Sequence, residues 1–230
     1  MRPYDPGKPL ISLHVPKCAG NSLRRQLRAW FRDRFHVHYF QRKQAPPERL
    51  VLGPGDCLHG HFNNDEGFGA LQYYPEVDQF VTFLRHPLEM AVSGYFFWKR
   101  RGRANRIRRG ALVPGDPDND FRDIHHYFAA RGRSPLFRYL PFDFAGDDPG
   151  AILDRHFVCV GIVEHFAASV ALLGRCLGFP ASVVEHLNPS PRDEAPTPDE
   201  ARRYAADNPL EFEVYALALE RLRRACGEGP

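Results

Sequence analysis

The sequence has no long hydrophobic run and no paired cysteine motif, and each absence excludes a class of protein. No segment approaches the roughly 20 apolar residues that a helix needs to cross a bilayer. Residues 1–10 lack the apolar stretch of a secretory signal, so we expect a cytoplasmic protein with no transmembrane segment. The five cysteines are odd in number, widely scattered and never spaced as Cys-x-x-Cys, which is typical of reduced thiols and not of disulfides or a structural zinc site.

A strong net charge and internal repeats are also missing. A formal net charge of +3 is by itself too small to indicate a nucleic-acid-binding protein, and no repeated unit is visible. The 230 residues, of which 43% are hydrophobic, are enough to bury one substantial core. We therefore expect one domain spanning residues 1–230.

Strand-like and helix-like segments alternate along the chain, which predicts an α/β fold with a central, mostly parallel sheet and helices on its faces. The expected strands are 10–15, 35–39, 57–61, 79–84 and 157–162. The expected helices are 21–34, 87–101, 121–130 and 165–177, followed by two C-terminal helices that begin at the capping signals Thr197-Pro198-Asp199-Glu200 and Asn208-Pro209-Leu210-Glu211. Residues 102–120 are rich in Arg, Gly, Pro and Asp and lack periodicity, so we expect a long surface loop or lid there.

An apolar strand that breaks into a short turn and then opens a helix stands near the start of the sequence. The apolar run ends at Pro16, Gly20 lets the backbone come close to a ligand, and apolar residues recur at helical spacing afterwards. The unpaired N–H groups and the dipole of a helix N-terminus favour an anion, to which Lys17 would add a full positive charge and Ser22 a hydroxyl donor. The segment is not a Walker A loop, because its lysine precedes the glycine instead of following it.

A second strand–turn–helix unit has a cation in its turn, as the first unit has Lys17. Arg85 follows the buried run 79–84 and precedes a helix, so it lies at the carboxyl end of a strand. Ser93 follows on that helix, off its apolar face and able to point back to the same crevice. Open α/β sheets bind ligands outside the carboxyl ends of their strands, so two such turns could hold a ligand with two separated phosphates. The planar guanidinium of Arg85 suits a terminal phosphate.

Three short segments occur in an order that is typical of one enzyme family. The first is His14-Val15-Pro16-Lys17-Cys18-Ala19-Gly20-Asn21-Ser22, the second is Leu58-His59-Gly60-His61-Phe62, and the third is Arg85 with Ser93. The first resembles the 5'-phosphosulfate loop of sulfotransferases, and the third resembles their 3'-phosphate motif. The second is similar to the His-Gly-His segment of carbohydrate sulfotransferases related to heparan sulfate and uronyl 2-O-sulfotransferases. The resemblance covers residues 10–190 and implies a P-loop-like three-layer sandwich.

The resemblance also implies the donor, the reaction and a role for each residue. The donor would be 3'-phosphoadenosine-5'-phosphosulfate (PAPS), and an acceptor hydroxyl would displace adenosine 3',5'-bisphosphate in line, with no metal ion required. His61 would be the catalytic base, Lys17 would stabilise the charge that develops on the leaving phosphate, and His59 would orient the base or contact the acceptor. The residues expected to bind the nucleotide are Pro16, Lys17, Cys18, Ala19, Gly20, Asn21, Ser22, Arg85, Ser93, Asn188 and Ser190.

Each assignment has a plainer alternative. Lys17 would be a solvated surface lysine beside a structural turn, and Ser93 an ordinary serine on a helix surface. Arg85 would pair with an acid such as Glu89, one turn along the helix. The two histidines of the His-Gly-His segment would be a hydrogen-bonded strand pair or ligands of a metal site.

The basic run 99–109 is the main sign of an acidic partner. It holds seven basic residues and no acidic one, so it would attract a glycan acceptor that carries carboxylates or sulfates. Nucleic acid is not expected, since the run lacks the interleaved aromatics that stack on bases. A solvated loop is the plainer interpretation.

Three functions are therefore consistent with the sequence. The first is a sulfotransferase that acts on a hydroxyl of a carbohydrate or a related small molecule. The second is a P-loop-like kinase that uses a nucleoside triphosphate. The third is a noncatalytic protein that binds polyanions through the basic run.

Overall fold

The computed structural model of the chain describes residues 1–39, 47–108, 121–180 and 192–227. Two of the expected nucleotide contacts, Asn188 and Ser190, lie outside the described residues. The last residue of the basic run, Arg109, and the expected loop beyond it lie outside them as well.

Five short runs dominated by apolar residues form one parallel sheet. The strands are Leu10–Leu13 (β1), Phe35–Tyr39 (β2), Cys57–His61 (β3), Phe80–Leu84 (β4) and Phe157–Ile162 (β5). Their order across the sheet is β2-β3-β1-β4-β5, and each neighbouring pair is parallel. β1, β4 and β5 are buried along their whole length, as expected for strands covered on both faces, whereas the edge strand β2 is partly exposed. The predicted α/β fold with a central parallel sheet flanked by helices is confirmed.

Helices cover the sheet, and several of them begin at side-chain caps. Within the described residues they are Gly20–Phe31 (α1), Ala70–Tyr73 (α2), Pro87–Arg108 (α3), Ile124–Ala130 (α4), Pro149–His156 (α5), Phe166–Leu177 (α6), Pro198–Asp207 (α7) and Pro209–Cys226 (α8). Thr197 caps α7 in a capping box with Glu200, as predicted. Helix α1 packs on β2 and β3, while α5, α6 and α8 pack on β5. In the ranges that the structure describes, no helix is both long and apolar enough to cross a membrane.

Helix α3 is longer than the sequence predicts. It continues to Arg108, so residues 102–108 are helical and do not belong to the expected loop or lid. This stretch has no proline and is rich in arginine, a good helix former, but it lacks the apolar periodicity on which the prediction depended. The structure also starts α4 at Ile124 instead of residue 121, because Asp123 caps it by accepting the N–H of His126.

Buried apolar side chains form two clusters. The larger surrounds the sheet, and the smaller joins α3, α4 and α7. Glu194 ties the chain before α7 to the smaller cluster. Its carboxylate accepts from the Tyr95 hydroxyl at 2.8 and 2.9 Å and from the Ile124 N–H at 2.9 Å. The expectation of a single domain over residues 1–230 stays a prediction.

Candidate functional site

The turns that carry the predicted site residues lie side by side at one edge of the sheet. β3, β1 and β4 are parallel neighbours, so their carboxyl ends meet at the same edge. His61 ends β3, the loop with Lys17 follows β1, and Arg85 follows β4. The fold therefore gathers residues that are far apart in the sequence.

The loop after β1, called the nest below, contains two left-handed residues, as anion-binding nests do. Lys17 and Ala19 have φ angles of 66° and 55°, a left-handed conformation that costs a non-glycine residue about 1 kcal/mol or more. Left-handed residues alternating with ordinary ones can turn successive N–H groups toward one concavity, and of these the Cys18 N–H already donates to the Val15 carbonyl oxygen at 3.3 Å. Helix α1 then starts without a side-chain cap and without an acidic residue in its first turn. The strained loop and the uncapped helix together form a place for an anion.

Lys17 is a half-buried cation held against an aromatic ring. Its Nζ lies 4.5 Å from the centroid of the Phe97 ring on α3. Burial, with Arg100 and Arg85 nearby, lowers the pKa of Lys17 to about 8, which leaves the ammonium mostly protonated at neutral pH. A ring face does not neutralise the charge as a carboxylate would. Lys17 is therefore not a solvated surface lysine, and its charge can act on a bound anion.

Arg85 lies against the Lys17 loop and keeps donors for an anion. Its Nη1 donates to the carbonyl oxygen of Lys17 at 3.4 Å. Glu89 and Glu164 form ion pairs with its Nη2 and Nε at 3.7 and 3.9 Å, so the expected alternative pairing with Glu89 is present. Both distances are longer than a hydrogen bond. The Glu89 carboxylate accepts a shorter bond of 2.7 Å from Arg192. The Arg85 Nε is buried without a hydrogen-bond partner among the described residues, and a bound phosphate would satisfy it.

Ser93 lies on the face of α3 that is turned toward both cations. Glu89, Ser93 and Phe97 follow one another at intervals of four residues, so they share one face of the helix. Glu89 lies beside Arg85, and Phe97 lies under the Lys17 ammonium. Ser93 stands between them on this face and is partly exposed.

The other loop residues differ in what they present to a ligand. Pro16 and Ala19 are partly exposed, and Asn21 is exposed at the start of α1. Cys18 is buried with its Sγ 3.8 Å from the Met90 Sδ, and burial raises the pKa of its thiol to about 12. The Cys18 side chain therefore brings no charge to the anion site.

Gly20 and Ser22 are buried in the first turn of α1. A Cβ atom on Gly20 would lie 1.7 Å from the Nε2 of His14. The imidazole of His14 therefore occupies the space beside the Cα atom of Gly20, where the sequence suggested that a ligand comes close. A ligand can contact Gly20 only at its backbone N–H or carbonyl group.

His61 has the protonation pattern of a general base. Its Nδ1 lies 2.6 Å from the carbonyl oxygen of His14, and because a carbonyl can only accept, the Nδ1 carries the proton. The Nε2 of the neutral ring then bears a free lone pair. Burial lowers the pKa of His61 below its ordinary 6.5, so the ring is neutral at pH 7. His61 can therefore accept a proton at Nε2.

Aromatic rings hold His61 in one orientation. The His14 ring is stacked on it with centroids 3.9 Å apart and planes at 21°. Tyr39, which ends β2, meets it edge to face at 5.1 Å, and Tyr139 lies at 6.1 Å. Such contacts fix the plane of the ring and line the space around it with aromatic surface.

His59 lies beneath this group and does not reach the surface. Its side chain is 0% exposed, its Nδ1 is 3.0 Å from the Ser12 Oγ, and its ring lies 5.0 Å from the His14 ring. Burial lowers the pKa of His59 to about 3, so it is neutral. Of the two expected roles, this burial is compatible with orienting its neighbours and not with contacting an acceptor.

The part of the chain that the structure describes does not provide the ligands that the metal-site alternative requires. There, no group of three or more His, Cys, Asp or Glu side chains is arranged to hold a metal ion. The rings of His14, His59 and His61 are stacked instead of pointing their nitrogens at one centre.

The sequence predicts no role for four residues of the site: His14, Tyr39, Phe97 and Tyr139. His14 follows β1 and Tyr39 ends β2, and a polar residue at the carboxyl end of a strand is the signal that could have identified both. Phe97 and Tyr139 depend on the packing of distant segments and leave no such signal.

Comparison with known proteins gives backbone similarity only. No protein-family model and no curated protein matches the sequence. Among solved structures, the mouse sulfotransferase SULT7A1 complexed with PAP is similar, with a TM-score of 0.47 and 10% identity over 89% of this chain, which spans 64% of the mouse protein. A sulfotransferase from Alicyclobacillus acidocaldarius has a TM-score of 0.42 and 15% identity over 97% of both chains. Likenesses at this level carry no substrate or activity over to this chain.

Proposed function

We propose that this chain is a sulfotransferase that moves a sulfuryl group from PAPS to a hydroxyl of a carbohydrate or a related small molecule. The observation that carries the proposal is the meeting of Lys17, Arg85 and His61 at one sheet edge, beside the uncapped start of α1. Two cations on neighbouring turns suit a nucleotide with two phosphates. A neutral imidazole with a free lone pair suits a hydroxyl acceptor.

The nucleotide would be divided between the two turns. The nest after β1 and the Lys17 ammonium would bind the 5'-phosphate, which carries the sulfuryl group. The Arg85 guanidinium, with its unsatisfied Nε, and the Ser93 hydroxyl would bind the 3'-phosphate. In this arrangement the sulfuryl group would face the aromatic space in front of His61.

The residues then supply what an in-line displacement requires. His61 would take the proton of the acceptor hydroxyl at Nε2 while the acceptor oxygen forms its bond to sulfur. The bond between sulfur and the 5'-phosphate oxygen breaks, and adenosine 3',5'-bisphosphate leaves with the electron pair. Lys17 and the N–H groups of the nest would stabilise the charge that develops on that phosphate. This scheme requires no metal ion.

The surroundings of His61 support a ring-shaped acceptor. Tyr39 and Tyr139 flank the imidazole, and aromatic side chains with a polar tip offer both a stacking surface and a hydrogen bond. Arg100, at the base of the basic run, is exposed and lies near the Lys17 ammonium. An acceptor that carries a carboxylate or a sulfate would be attracted to this side of the site.

Calorimetric titration with adenosine 3',5'-bisphosphate tests the proposal without knowledge of the acceptor. Lys17→Ala and Arg85→Ala should each weaken binding by about tenfold to a hundredfold, the range of one or two charge-assisted hydrogen bonds. Lys8→Ala and Arg202→Ala are matched controls, because these cations pair with Asp78 and Asp199 on exposed surface. Both controls should bind as the wild type does.

Titration with adenosine 5'-monophosphate, which lacks the 3'-phosphate, distinguishes the contribution of the Lys17 turn from that of the Arg85 turn. Lys17→Ala should weaken its binding, whereas Arg85→Ala should leave it unchanged. Absence of bisphosphate binding, or equal binding by all variants, would reject the proposal. Magnesium-dependent binding of ATP with no preference for a 3'-phosphate would favour a kinase instead. Binding of heparin alone, with a steep dependence on salt, would favour the noncatalytic polyanion-binding function.

A further inference from the structure

His14 opens the loop after β1, and its imidazole lies between the start of α1 and the ring of His61. On one side, the ring occupies the space where a Gly20 Cβ would stand, 1.7 Å from Nε2. On the other side, it is stacked on the His61 ring at 3.9 Å. The thickness of one imidazole therefore separates the anion-binding helix start from the proposed base.

The His14 ring is itself held in place. Its Nδ1 lies 3.0 Å from the Tyr39 hydroxyl, and the Tyr39 ring also meets His61 edge to face at 5.1 Å. On its buried side it is stacked on His59 at 5.0 Å. A loop and two strands, β2 and β3, thus fix one residue, which leaves the ring little freedom to rotate.

We propose that His14 is a positioning residue for His61: its carbonyl oxygen selects the Nδ1–H form, and its ring sets the plane of the imidazole and the distance of Nε2 from the start of α1. The catalytic meaning of this inference rests on the proposed function, whereas the arrangement of the rings does not. In a displacement in line, a shift of about 1 Å between base and acceptor is enough to slow the reaction strongly.

The groups that face His61 carry no charge of their own near neutral pH. Burial holds the pKa of His14 far below its ordinary range and that of His59 at about 3, so both stay neutral. Burial raises the pKa values of Tyr39 and Tyr139, so neither loses its proton near neutral pH. The charged Arg24 of α1 acts on His14 and His59 and is not among the causes that shift the pKa of His61. A protonated His61 would therefore meet no like charge on these rings, and burial is the first-named cause that disfavours its charged form.

Nuclear magnetic resonance of the full chain labelled with nitrogen-15 tests the inference without an acceptor. Two-bond proton–nitrogen correlation distinguishes the Nδ1–H and Nε2–H forms of a histidine, and a His61→Gln variant assigns its signals. In the wild type we expect the Nδ1–H form and a pKa below 6.5. In His14→Ala, water replaces the stacked ring, so the pKa of His61 should rise toward 6.5. The backbone carbonyl of residue 14 remains in this variant, so the Nδ1–H form of the neutral ring should persist.

Two further variants make the result specific. His14→Phe keeps a flat ring and should preserve both the form and the low pKa of His61. His125→Ala removes an exposed histidine on α4 and should change nothing at His61. Tyr39→Phe loosens the His14 ring by removing one hydrogen bond, and it should shift His61 in the same direction as His14→Ala, but less.

The outcomes separate this inference from the proposed function. An Nε2–H form in the wild type would overturn it, as would unchanged His61 signals in His14→Ala with a wild-type circular dichroism spectrum. If His14→Ala does not fold, an unchanged His61 in Tyr39→Phe overturns it in the same way. Titration with adenosine 3',5'-bisphosphate runs in parallel: failure to bind rejects the proposed function and leaves the ring arrangement standing.

Discussion

Replacing Gly20 with alanine puts a methyl group into space that the His14 imidazole fills. The new Cβ would lie 1.7, 1.9 and 2.2 Å from three atoms of that ring, closer than any real contact. Gly20 does not have a positive φ, so the backbone itself accepts alanine there. The cost of the substitution therefore arises from displacement of His14.

The magnitude follows from what His14 loses when it moves. The hydrogen bond to Tyr39 contributes about 1 kcal/mol, and the stack on His61 contributes about 1 kcal/mol. Overpacking of a buried site adds about 1–3 kcal/mol, and the better helix propensity of alanine returns at most about 1 kcal/mol. We expect Gly20→Ala to lower the free energy of unfolding by about 2–5 kcal/mol.

Urea unfolding monitored by circular dichroism measures the effect. Gly132→Ala is the matched control, because the nearest atoms to its added Cβ lie at 3.9 Å, and it should change stability by no more than about 0.5 kcal/mol. The decisive measurement is a double-mutant cycle. In a His14→Ala background the methyl group has room, so Gly20→Ala should cost less than about 1 kcal/mol. Equal costs in the two backgrounds would refute the reasoning.

Two further predictions concern charge and thiol chemistry away from the site. Arg221 donates to Asp154 at 3.0 and 2.8 Å and holds the pKa of that carboxyl well below 3.8, so the pair stabilises the fold above this pH and the contribution is lost as the pH falls below it. Because the carboxylate is 52% exposed, Asp154→Asn should cost less than about 1 kcal/mol in thermal unfolding near pH 7. The difference from the wild type should shrink as the pH falls from about 4 toward 2, and a difference of the same size at both pH values would contradict this. A hydrogen bond from Cys159, with Arg175 nearby, lowers the pKa of the half-buried Cys176 thiol to about 7. Peptide mass spectrometry after iodoacetamide treatment should show Cys176 half-maximally reactive near pH 7 and buried Cys57 unlabelled, and a Cys176 rate that rises only well above pH 8 would contradict the assignment.

The strands and most helices could be predicted because their signals are local. Runs such as Phe157–Ile162 are apolar throughout, as strands covered on both faces must be. Thr197 and Glu200 satisfy each other in a capping box that can be recognised from four consecutive residues. The start of α5 offered a related signal, since Asp148 precedes a proline and accepts the N–H of Ala151. The expected helices do not include α5, although this local signal is sufficient to predict it.

Other features depend on packing and leave no trace in a local pattern. The second half of α3 has helix-forming residues but no apolar period, so the prediction ends it too early. The position of Phe97 under the Lys17 ammonium requires α3 to pass over the loop after β1 at one particular turn. The spacing of residues within a helix does not predict such a contact.

In the site, too, the position of the charged residues could be predicted from the sequence, whereas the contacts between side chains could not. Parallel strands end at a common edge, so Lys17, His61 and Arg85 could be expected to meet there from the strand assignments alone. What the sequence does not contain is the role of Gly20. A glycine at the start of a helix after a basic turn is typical of close approach by a phosphate, but here the approaching group is the His14 imidazole. Because that ring also stacks on His61, the glycine links the proposed anion site to the proposed base, and a substitution that only blocked a phosphate would leave the His61 resonances unchanged.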